Sequence, residues 1–87
     1  MDYLPIFMDL RGRNGLVVGG GDAAARKASL MLSAGAWVTV VSPDSLSDAF
    51  KELLNTDRLI HRRSAFVPQH LDGVDVVFAA SDDEQLD

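Results

Sequence analysis

The chain contains no cysteine. That absence excludes disulfide scaffolds, thiolate zinc sites and cysteine nucleophiles, and it fits a reducing compartment. Basic residues are scarce. Lys and Arg total 8 against 13 Asp and Glu, a formal charge of −5, and they form no long run. An acidic surface does not attract a phosphate backbone or an anionic bilayer, so we expect neither a nucleic-acid nor a membrane-surface partner. No apolar stretch approaches the roughly 20 residues of a membrane span. Residues Met1–Leu10 lack a basic opening and carry Asp2, Pro5 and Asp9, which does not fit a secretory leader. The expected location is the cytosol.

What remains is ordinary for a globular domain: 87 residues, 47% hydrophobic and 24% charged. That length allows one domain. Folding a chain of this size removes only roughly 60–65% of its extended surface from water, so stability in isolation is modest.

Gly15–Gly19 (GLVVG) is a short, continuous aliphatic run after Asn14-Gly15, which reads as turn chemistry. Such a run predicts a strand covered on both faces, as in a parallel sheet. Three glycines, Gly19, Gly20 and Gly21, close it. Asp22–Ala34 follows, rich in helix formers, with Ala24, Ala28, Met31 and Leu32 on one helical face and Gly35 as a stop. Trp37–Val41 predicts a second strand, which Pro43 ends. A hydroxyl at Ser45 three residues before Asp48 predicts a helix start, with Phe50, Leu53 and Leu54 as its apolar face. Arg58–Arg62 predicts a third strand whose basic flanks suit a sheet edge. A single turn over Val67–Leu71 and an Asp72-Gly73 turn lead to a fourth strand over Val74–Ala80. Ser81 followed by Asp82, Asp83 and Glu84 reads as the opening of another helix. Strands alternating with helices at this spacing predict an α/β fold, a Rossmann-type doubly wound parallel sheet.

The chemistry-bearing segment is Gly19-Gly20-Gly21-Asp22-Ala23-Ala24, which fits G-x-G-x-x-A. Gly19 permits the tight turn out of the strand, Gly21 lets a pyrophosphate approach the backbone, and Ala24 lets the helix pack close. The N–H groups of the first helical turn and the helix dipole then favour an anion. The pattern stands in its required context, between a buried strand and an amphipathic helix. We therefore expect a dinucleotide here, against the alternative of a glycine-rich turn that holds no ligand. Asp22 favours the dipole but would repel a neighbouring pyrophosphate, so its carboxylate should turn away while its N–H serves the ligand. The acidic residue that usually holds the adenosine ribose falls near Ser42, which is not acidic; Asp44 lies beyond Pro43. Ser42-Pro43-Asp44 is expected to meet the ribose, or else merely to lead into a helix. NAD is favoured over NADP, because no Lys or Arg directly follows the second strand.

Four stretches together resemble the N-terminal domain of the siroheme synthase (precorrin-2 dehydrogenase/sirohydrochlorin ferrochelatase) family: the opening MDYLPIF with Leu10, the block LVVGGGDAAARKASLMLSAGAWVTVV, LDGVDVV, and FAASDDEQLD. The resemblance spans essentially the whole chain. It implies oxidation of precorrin-2 to sirohydrochlorin with NAD as hydride acceptor, ferrous iron as a second substrate in many members, and a homodimer. It implies that Asp22 and Ala23 contact NAD and that Pro43 and Asp44 border its adenosine end. Ser81 and Asp82 would stand beside the crevice, which also follows from the rule that ligands bind outside the strand ends at a switch point. The aspartate that the family assigns to catalysis belongs to an Asn-x-x-Asp segment expected beyond Asp87, as does the dimerisation region. The fold is thus expected to be cut short after its fourth strand, and no catalytic residue is assigned. The competing reading is a nucleotide-sensing or assembly module without catalysis.

His61 and His70 read as surface histidines rather than metal ligands. Asp82, Asp83 and Glu84 read as a solvated first turn rather than a cation site. Arg26 and Lys27 are expected to face solvent, and Trp37 to serve packing. Arg11 and Arg13 are candidates for attracting a polycarboxylate tetrapyrrole.

Overall fold

The computed structural model describes residues 9–79. Four strands, β1 (Asn14–Val18), β2 (Trp37–Val41), β3 (Leu59–Arg62) and β4 (Val76–Ala79), form one sheet in the order β3-β2-β1-β4. Every neighbouring pair is parallel, with Val17 beside Val40 on one side and Phe78 on the other. The Rossmann-type sheet expected from the strand spacing is therefore present, and β3 lies at an edge, where its basic flanks suggest.

A single α-helix, α1 (Asp22–Ser33), connects β1 to β2. Its apolar face, Ala24, Ala25, Ala28, Met31 and Leu32, is buried against Val17, Val38, Val40 and Leu59 of the sheet. The helix stops in a Schellman motif. Gly35 takes a φ of +99° and its N–H bonds the Leu32 carbonyl, while the Ala36 N–H reaches the Met31 carbonyl. A Cβ at Gly35 would stand 2.5 Å from Arg11 Cγ and 2.9 Å from Arg11 Cα, so glycine is also required by the turn packed against it.

The segment between β2 and β3 departs from expectation. It forms two short 3-10 turns, Asp48–Phe50 and Leu53–Asn55, rather than an α-helix. The cap is Ser47, whose hydroxyl accepts from the Ala49 N–H, not Ser45. Of the presumed apolar face only Phe50 is fully buried, while Leu54 is half exposed. One anchoring side chain fixes one turn; it does not supply the stripe over successive turns on which a helix depends. Asn14 and Gly15 also differ, standing inside β1 while the turn falls at Arg11–Gly12. There Asn14 carries sheet-end bonds: its N–H donates to Asp75 Oδ2 and its Nδ2 to the Gly73 carbonyl.

The β3–β4 connection returns from one edge of the sheet to the other. Right-handedness places it on the face opposite α1. On that face Leu16 and Val41 are buried, whereas Trp37, Ile60 and Val77 are about half exposed. Trp37 thus contributes less packing than expected. The fourth strand is shorter than Val74–Ala80, and its burial alternates along its length. Ala80 and the helix start at Ser81 lie outside the described residues.

Candidate functional site

The carboxyl ends of β1 and β2 open into a cleft of about 640 Å³. Its described walls come from the ends of β1 and β2, beside the point between β1 and β4 where the strand order reverses. Gly19, Gly20, Gly21 and Ala23 line one wall, and Ser42, Pro43 and Asp44 another. The structure therefore brings together the two segments proposed from sequence. Ser81 and Asp82 lie outside the described residues.

The glycine turn is built from backbone alone. Gly19 takes a φ of +129°, and its N–H is held by the Val41 carbonyl at 2.9 Å. Gly21 caps α1 in an extended conformation, and no side chain accepts from the first turn. The N–H groups at the start of α1 are thus left to face the cleft, where the helix dipole adds positive potential. Asp22 is exposed and is not among the lining residues, consistent with a carboxylate turned away. Gly20 is set by close approach: a Cβ there would stand 2.8 Å from Ser42 Oγ and 3.3 Å from Leu46 Cδ2. This narrow backbone cradle, with no side chain to block it, fits a diphosphate.

The second wall is stiffened by Ser42, which is 3% exposed. Its hydroxyl accepts from the Asp44 N–H and donates to the Asp44 carbonyl, each at 3.3 Å. The turn is closed by side chain, so Pro43 and the Asp44 carboxylate project outward, and both are exposed. The Ser47 N–H donates to the Gly20 carbonyl at 2.8 Å and ties this loop to the glycine turn. His61, on β3, lies beneath with Nε2 3.2 Å from the Ser42 carbonyl.

Sequence reasoning missed Ser45, Ser47 and Phe66 as lining residues. Ser45 and Ser47 follow directly on Ser42–Asp44, so a longer reading of that loop would include them. Phe66 arrives from the β3–β4 connection, and no local pattern signals it.

Arg11 and Arg13, expected to attract a polycarboxylate, are not brought to this cleft. Both lie at the amino end of β1, opposite the glycine turn, because a strand in between carries the chain to the cleft. Arg11 is paired with Asp9 at 2.8 Å, and Arg13 with Asp75 at 3.8 Å. The Arg11 side-chain hydrogen bond, reinforced by the Arg11 backbone N–H, holds the Asp9 carboxyl down at about 2. Arg26 and Lys27 are exposed, with Lys27 Nζ 5.1 Å from the centre of the Phe78 ring. His70 Nδ1 accepts from the Val67 N–H. Among the described residues no group of three His, Asp or Glu could hold a metal ion. Nor is any described helix long and apolar enough to cross a membrane.

A second hollow of about 560 Å³ lies against the β3–β4 connection, lined by Trp37, Thr39, Ile60, Arg62 and His70 among others. It shares no residue with the cleft and has no glycine turn or helix start among its lining.

A family model described as NAD(P)-binding matches residues 6–87. The chain belongs to this family. It is 48% identical over 86 residues to a siroheme synthase of Photorhabdus laumondii, covering 99% of this chain and 18% of that protein. It is 51% identical to a siroheme synthase of Methylobacillus flagellatus with the same coverage. Among solved structures it is similar to SirC, a precorrin-2 dehydrogenase, with a TM-score of 0.78 and 32% identity over 97% of this chain and 42% of that one. The resemblance carried by the GGGDAAARK block and its flanks is thus matched along nearly the full chain. The chain spans about 18% of the length of these siroheme synthases. The family's description supports a nicotinamide dinucleotide of the NAD(P) type as the cofactor.

Proposed function

We propose that residues 1–87 form the NAD-binding part of a precorrin-2 dehydrogenase, which oxidises precorrin-2 to sirohydrochlorin. The observation that carries this reading is the bare backbone cradle at Gly19–Ala23, walled by Ser42–Asp44. Its support is the likeness to siroheme synthases and to SirC. The N–H groups of the glycine turn and the first turn of α1 would hold the pyrophosphate, and the Ser42-Pro43-Asp44 turn the adenosine ribose. Ser81 and Asp82, following β4, are assigned to the same crevice.

NAD, when bound, supplies the acceptor for a hydride leaving the tetrapyrrole, and the accompanying proton passes to solvent. This chain's own part is positional. The cradle would hold the central diphosphate and the Ser42-Pro43-Asp44 turn the adenosine side, which would set the orientation of the cofactor. No residue among those described is assigned as a proton donor or acceptor. Ferrous iron would enter as the substrate of a second, chelatase (lyase) step. A cytoplasmic homodimer is the assembly we assign to the whole protein.

The test is to mix the full-length protein with precorrin-2 and NAD and follow NADH absorbance. Stoichiometric NADH and sirohydrochlorin are expected. NAD binding with no reduction in the presence of precorrin-2 would replace this reading with a nucleotide-sensing module.

A further inference from the structure

We propose that Phe66 is the platform on which the purine base of the dinucleotide stacks, held ready for it by the His70 ring. The proposal deepens the reading that the cleft holds a dinucleotide and rests on it.

Phe66 lines the cleft together with Ser42, Pro43 and Asp44, the turn assigned to the adenosine ribose. It comes from the β3–β4 connection, four residues beyond Arg62. The Arg62 carbonyl accepts from the Ser42 N–H at 3.1 Å, which brings the end of β3 beside that turn. The aromatic ring thus enters the cleft from the adenosine side of the sheet.

Three observations point to a stacking role. Phe66 is 41% exposed, a large apolar ring left open at a cleft that it helps to wall. The ring is also braced. The His70 ring lies 5.9 Å away, centre to centre, and is inclined at 42°, a favourable aromatic arrangement. His70 is itself fixed within the 3-10 turn Pro68–Leu71: its Nδ1 accepts from the Val67 N–H at 3.1 Å, and its own N–H donates to the Val67 carbonyl at 2.9 Å. Finally, the hydroxyls of Ser42 and Ser47 are committed to backbone groups of their own turns, those of Asp44 and Ala49. What this wall offers a base is then mainly a flat apolar face, and a purine has a π-face to match it. A side chain ordered before the ligand arrives also spares the cost of ordering it on binding.

Calorimetric titration of the full-length protein with ADP-ribose, and with ribose 5-diphosphate, which lacks the base, tests the assignment. Phe66→Ala and Phe66→Leu are each expected to weaken ADP-ribose and NAD about tenfold, within the range of one stacked base, and to leave ribose 5-diphosphate unchanged. Leucine keeps the apolar bulk without the flat ring, so it separates stacking from packing. Phe66→Tyr is expected to bind as the parent does, and His70→Ala to weaken ADP-ribose about threefold, the cost of ordering one loosened side chain. Phe66→Trp adds an emitter at the cleft, whereas Trp37 stands at the amino end of β2. Saturating ADP-ribose is expected to quench the added emission, and ribose 5-diphosphate to leave it unchanged. If Phe66→Leu binds ADP-ribose as the parent does, or if the emission added by Phe66→Trp ignores ADP-ribose, the platform is wrong while the cleft reading stands. If the parent binds neither NAD nor ADP-ribose, the cleft reading itself has failed.

Discussion

Gly20 is the residue on which the cleft's shape depends most closely. Its missing side chain is what lets the glycine turn lie against Ser42 and Leu46. Gly20→Val would place a branched side chain where Ser42 Oγ now sits, costing about 1–3 kcal/mol of stability by overpacking. It should weaken NAD binding at least tenfold, because the turn must move to relieve the clash. A thermal melt and an NAD titration on the same sample check both effects. The smaller Gly20→Ala should be partly rescued by Ser42→Ala, which removes the oxygen 2.8 Å from the new Cβ. Wild-type NAD affinity in Gly20→Val would refute the close-approach argument. Asp22 makes the opposite point. It stands within the glycine motif, yet its side chain is exposed and does not line the cleft, so only its backbone is assigned to the ligand.

At the level of elements, legibility followed the range of the forces involved. β1, α1 and β2 are readable because each carries its own signal: an aliphatic, β-branched run in each strand, and in the helix a 3.6-residue apolar repeat closed by a glycine stop. Gly35 shows how firm such a signal is. Its φ of +99° and the 2.5 Å approach to Arg11 act together. Gly35→Ala should therefore lower stability by about 2 kcal/mol or more. In a domain of this size that is roughly a 10 °C fall in melting temperature, measurable by circular dichroism. A melting temperature within about a degree of the parent's would contradict the Schellman stop. The segment after β2 departs from what its hydroxyl–acid spacing suggests, because packing outweighs that local signal. Phe50 alone is buried there, and Leu54 faces solvent. Phe66 at the cleft could not be read locally. Its placement follows from the parallel register of β3 against β2 and the return across the sheet.

Across the whole molecule, two features of the sheet point beyond it. Among the described residues β4 pairs with β1 alone, and the face opposite α1 leaves Trp37, Ile60 and Val77 about half exposed. Soluble proteins avoid an open apolar edge of this kind. The 87 residues by themselves should therefore self-associate, or show fast amide exchange along β4. A strict monomer by analytical ultracentrifugation with β4 well protected would contradict that. The cleft itself needs neither feature, since its two described walls come from the ends of β1 and β2. The most direct test of the account is thus a calorimetric titration of NAD into the full-length protein, repeated with Gly20→Val. The account predicts a saturable, one-to-one binding isotherm whose affinity the substitution lowers at least tenfold. No heat at millimolar NAD, or an isotherm that Gly20→Val leaves unaltered, would show that the glycine turn does not hold the cofactor.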